Sequence, residues 1–82
     1  MTRPEKSEIA AVLMDLAHRR GSGKTFCPSE AARSLSRNNW RALMPDVRQV
    51  AAELPIVASQ KGKPIDIATA RGPIRLGLAP RD

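Results

Sequence analysis

The chain carries a single cysteine, a single histidine, one phenylalanine, one tryptophan and no tyrosine. Each shortage excludes something. One cysteine (Cys27) permits no disulfide within the chain and fits a reducing, cytoplasmic setting. With His18 as the only histidine, the chain falls short of the tetrahedral Cys/His set of a structural zinc site, and neither metal nor cofactor is expected. Two rings do not make the row of stacking platforms on which single-stranded bases lie. No run approaches the roughly 20 apolar residues that cross a bilayer. Nothing behind Met1–Lys6 resembles the apolar stretch of a secretory signal, so no membrane partner is expected.

What the chain does have is positive charge. Fourteen Lys and Arg against eight Asp and Glu give a formal net charge of +6 on 82 residues. On a body this small the excess attracts anionic partners at long range, though it also serves solubility alone. The length allows one domain, residues 1–82, burying roughly 60–65% of the surface its unfolded chain exposes. A hydrophobic content of 41% supplies a core without metal or disulfide support.

Hydrophobic periodicity orders the chain into elements. Ile9, Val12, Leu13 and Leu16 follow the i, i+3, i+4, i+7 pattern of an amphipathic helix over about Pro4–Arg20. Thr2 and Glu5 have capping-box spacing, and Arg19-Arg20 before Gly21 suit the negative end of the helix dipole. Gly21-Ser22-Gly23 breaks that helix, and Lys24–Cys27 leans toward a short strand. Pro28 suits the first turn of a second helix, about Pro28–Ser34, with Ala31, Ala32 and Leu35 on its apolar side. Ser36–Asn39 is a polar turn in which either asparagine caps the next segment. Trp40–Met44 reads as a lead-in turn broken by Pro45, after which Val47, Val50, Ala51 and Leu54 mark a third helix. Then the period changes. Ile56–Gln60, a turn at Lys61–Pro64, Ile65 with Ile67, and Ile74 with Leu76 predict short strands.

This order predicts an α+β, mainly α fold: a winged helix-turn-helix of three helices and a small antiparallel β wing. Four blocks of residues then resemble a known family. They are Lys24–Arg33 (KT-x-CPSE-x-AR), Trp40–Arg48 (WR-x-LM-x-x-VR), Gln60-Lys61-Gly62 and Arg71–Leu76 (RGPIRL). Together these resemble the small bacterial domain-of-unknown-function family DUF3253. The resemblance implies a winged-helix-like fold and carries no assigned activity. One departure is Leu54-Pro55, where a Gly-containing turn is expected.

Catalytic chemistry finds little to stand on. Gly23-Lys24-Thr25 lacks the first glycine of a phosphate-binding loop, since His18 occupies that position, and a helix precedes it where a strand is required. Cys27 at a helix start has the dipole that lowers a thiol pKa, but His18, the only candidate base, lies on another helix. The carboxylates are scattered. No catalytic residue is expected, and the chain reads as a non-enzyme.

The basic residues are more informative. Arg48 and Gln49 are expected on the outward face of the third helix, where such side chains reach guanine and adenine edges. Arg33, Arg37 and Arg41 surround the turn between the second and third helices, where phosphate contacts normally lie. Lys61 and Lys63 flank the Gly62 tip of the wing. These seven are the candidate nucleic-acid-binding residues, and double-stranded DNA is the leading partner. The competing expectation is a protein-interaction module or accessory subunit, docking through an apolar patch at Trp40, Leu43 and Met44 or through a free edge on the last strand. Trp40 is otherwise expected to plug the core.

Overall fold

Residues 4–21, 23–67 and 69–79 are described by a computed structural model of the chain. The three amphipathic segments form helices α1 (Lys6–Arg20), α2 (Pro28–Leu35) and α3 (Trp40–Ala52), followed by strands β1 (Ile56–Gln60), β2 (Lys63–Ile65) and β3 (Arg75–Leu78). The fold is α+β and mainly α, in a winged-helix-like arrangement. Helix α1 begins two residues later than its periodicity suggested, with Glu5 as N-cap residue; its carbonyl accepts from Glu8 and Ile9 N–H. Thr2 lies outside the described residues.

The break expected at Pro45 does not occur. Helix α3 runs through it from Trp40 to Ala52. A proline there removes the bond to the Arg41 carbonyl one turn earlier, but Arg41 and Pro45 are both exposed. The loss therefore falls on the solvent side, where water can replace it. The opposite face buries Leu43, Val47, Val50 and Ala51, and burial of the leucine and the two valines contributes up to about 1.5–3 kcal/mol each. Packing of that face outweighs one missing bond. Asn39 takes the N-cap position without a side-chain capping bond. The turn before it is closed instead by the Asn39 N–H donating to Ser36 Oγ at 3.1 Å.

Glu30 fastens the start of α2. Its carboxylate accepts from the Cys27 backbone N–H at 3.0 Å and from the Arg20 guanidinium, joining the end of α1 to the start of α2. Cys27 is the N-cap residue of α2 and half-buried; Ser29 Oγ donates to its sulfur at 3.0 Å.

The sheet is antiparallel in the order β2-β1-β3. The β-leaning Lys24–Cys27 segment extends it by one bridge, Phe26 and Leu76 exchanging two backbone bonds of 2.8 Å. Gly77 allows this approach, because a Cβ there would stand 2.8 Å from the Lys24 carbonyl oxygen. Strands β1 and β2 form a tight hairpin whose two loop residues, Lys61 (φ 52°) and Gly62 (φ 80°), both take positive φ. That is the type I′ pattern matching the natural twist of paired strands. The turn is therefore Lys61-Gly62 rather than Lys61–Pro64, and Pro64 sits in the edge strand, where its missing N–H is tolerated. Ile67 lies beyond β2 in the long connection to β3, yet it is buried with the core. All three helices and the sheet share that core, centred on Ile9, Leu13, Phe26, Val47 and Leu76.

Candidate nucleic-acid interface

The seven candidate residues fall into three groups. The first surrounds the turn from α2 to α3. Arg33 and Arg37 are exposed at the end of α2 and in the turn, and Arg41 is exposed in the first turn of α3. Trp40 lies between Arg33 and Arg41 in the chain, and both guanidiniums approach its ring. The Arg33 guanidinium carbon lies 4.5 Å from the centre of the indole ring, and that of Arg41 lies 4.8 Å from it. A guanidinium over an indole face is held by the ring quadrupole, worth about 0.5–1 kcal/mol at an exposed site. Stacking restrains each side chain while its N–H edge stays available to an acceptor. Among the described residues no carboxylate pairs with Arg33, Arg37 or Arg41; the ion pairs are Lys6–Glu53, Arg19–Asp15 and Arg20–Glu30.

Trp40 is thus neither a core plug nor a free stacking ring. It is half-buried, packed against the core on one side and lined by two arginines. No spacing rule in the sequence announces this, because the two arginines come from different helices.

The second group is Arg48 and Gln49. Gln49 is exposed, but Arg48 is half-buried and its guanidinium turns to the β2–β3 connection. It donates to the Ala70 carbonyl at 3.3 Å and to the Gly72 carbonyl at 2.7 Å. The outward, base-reading position expected for Arg48 is therefore not the one it holds. Burying apolar α3 against the core brings the connection over the helix flank, and a half-buried guanidinium takes the nearest acceptors. Both residues line a groove of about 540 Å³ between α3, Lys6 at the start of α1, and Ile67 and Ala70 of the connection.

The third group is the hairpin tip. Lys61 and Lys63 are exposed on either side of Gly62. The tip is prepared by Gln60, which sequence reasoning passed over: its Nε2 donates to the carbonyls of Arg71 at 2.6 Å and Pro73 at 3.1 Å.

The apolar patch expected for protein docking does not form. Leu43 is 2% exposed, Trp40 and Met44 are half-buried, and Val57 is the exposed large hydrophobic side chain among the described residues. The edge of β3 away from β1 carries the Phe26 bridge. Among the described residues no helix is long and apolar enough to cross a membrane, and no three His, Cys, Asp or Glu side chains gather as a metal site. His18 is exposed in the last turn of α1, its Nδ1 donating to the Met14 carbonyl at 2.8 Å.

Comparison with curated proteins yields no match. A family model matches residues 6–79, which take in every element from α1 to β3 and all four blocks on which the resemblance rested. The chain belongs to DUF3253, a family of proteins of unknown function.

Proposed function

We propose that this domain is a non-enzymatic binder of duplex DNA that acts mainly on the phosphate backbone. The observation that carries the reading is the trio Arg33, Arg37 and Arg41: exposed, unmatched by carboxylates among the described residues, two of them held on Trp40. Restraining cations before the partner arrives lowers the ordering entropy of binding, and arginine forks suit phosphate oxygens. Lys61 and Lys63 add a second point of attachment. The longest dimension of the molecule is 40 Å, slightly more than one duplex turn of about 34–36 Å, so any footprint is limited to about one turn of DNA. Gln49 is the outward side chain of α3 suited to an adenine edge. With Arg48 engaged by its own chain, base discrimination is expected to be weak.

The test is a fluorescence-anisotropy titration of short duplexes of several sequences at several salt concentrations. Five phosphate contacts predict a slope of log affinity against log salt of about −4 to −5, nearly the same for every sequence. Replacing Arg37 and Arg41 together by Ala should flatten the slope by about 2. Absence of salt-sensitive binding to any duplex at low ionic strength overturns the reading and leaves a protein-interaction module as the alternative.

A further inference from the structure

The β2–β3 connection is unusual in what holds it. Four consecutive carbonyls, those of Ala70, Arg71, Gly72 and Pro73, are taken alternately by two side chains. Arg48 of α3 receives residues 70 and 72, and Gln60 at the end of β1 receives residues 71 and 73. Between Ile67 and Ile74 no described residue is buried, so apolar packing pins this stretch only at its ends. Strands β2 and β3 are not paired with each other. The side-chain bonds hold a segment that crosses from one side of β1 to the other.

Both ends of this arrangement bear on the basic hairpin. Gln60 directly precedes Lys61 and pairs across the hairpin with Lys63. Arg48 ties the returning chain to the helix that carries Arg41. We propose that Arg48 and Gln60 form a clamp that sets the position of the β1–β2 hairpin relative to α3, so that both are positioning residues for Lys61 and Lys63. Arg48 then acts through the connection rather than by touching a base. This rests on the DNA-binding reading of Lys61 and Lys63, while the clamp itself is testable without any ligand.

The geometry asks for a fork at position 48 and an amide at position 60. Lysine keeps the charge of Arg48 but replaces its planar fork by a compact ammonium on a flexible stem, which is not pre-organised for two carbonyls two residues apart. Leucine keeps the bulk of Gln60 and removes its donors. Neither change touches the buried core, and circular dichroism verifies the fold of each variant.

In the free protein, hydrogen exchange of the Thr69 and Ala70 amides, both bonded to the Asp66 carbonyl, should quicken at least tenfold in both Arg48→Lys and Gln60→Leu, with the amides of α1 unchanged. On duplex DNA each variant should lose about 2 from the salt slope, the share of Lys61 and Lys63. Removing those two lysines in either variant should then change affinity little, although it weakens the parent protein. A direct-contact role predicts otherwise: Arg48→Lys would keep the slope, and uncharged Gln60 would not affect it. Unchanged exchange in both variants overturns the clamp. Quickened exchange with an unchanged slope overturns its link to the lysines. If the parent protein shows no salt-dependent binding, the DNA reading fails and the exchange result alone judges the clamp.

Discussion

Arg41 and Arg48 lie seven residues apart on one helix, close to two full turns, and so share its outer face. Their surroundings differ. Arg41 sits where α3 leaves the α2–α3 turn; its guanidinium rests on Trp40 and its residue is exposed. Arg48 sits where the β2–β3 connection crosses the helix, and it is half-buried against two carbonyls. The first region holds its cation by a ring, which leaves hydrogen-bond donors for an outside acceptor. The second holds its cation by acceptors of its own chain, which consume them. Identical side chains on one helix face thus become a candidate ligand contact and a structural tie. What separates them is the element packed alongside.

The sharpest way to break this comparison is to loosen one region and watch the other. Ile67 is the apolar anchor of the connection at 9% exposure. Ile67→Ala should destabilise the protein by about 2–4 kcal/mol, measured by urea denaturation, while Trp40 emission in the native baseline stays unchanged. A shifted native Trp40 spectrum would mean that the two regions are one cooperative unit.

A smaller effect is expected at the hairpin tip. Gly62 takes φ 80°, a conformation that costs an L-residue about 1–2 kcal/mol. Gly62→Ala should lower the melting temperature accordingly, and Lys61→Asn, which suits positive φ better, should raise it slightly. If both variants melt with the parent protein, the hairpin turn does not contribute to the folding transition.

The smallest change sharpens the ring side. Arg33→Ala removes one of the two guanidiniums over Trp40 and should cost about 0.5–1 kcal/mol, with a change in Trp40 fluorescence that Arg37→Ala does not produce. Equal spectra for the two variants would place the Arg33 guanidinium away from the ring in solution.

Much of the scaffold was legible in the chain. The periodicity of Ile9, Val12, Leu13 and Leu16, the glycine break after Arg20, Pro28 at a helix start and the switch to β-branched residues at Ile56 each act over a few residues, and each marks an element that forms, although α1 buries Ile9, Leu13 and Ala17 fully and Val12 and Leu16 only in part. Pro45 misled because a local rule met a non-local one: the helix continues since the buried face of α3 is stabilised by the whole core. The site was legible by residue type and not by role. Arg33, Arg37, Arg41, Lys61 and Lys63 are exposed as expected, whereas the inward turn of Arg48 and the two hydrogen bonds donated by Gln60 depend on carbonyls more than ten residues away.

The sequence by itself determined the absence of a disulfide, the shortage of site chemistry, the surplus of positive charge and the order of helices and strands, because composition and short-range periodicity carry these. Only the tertiary structure decided which cations remain available. A guanidinium binds the nearest good acceptor or ring, and what lies nearest is settled when distant segments pack: Trp40 beneath two guanidiniums at one end of α3, and four backbone carbonyls shared by Arg48 and Gln60 at the other.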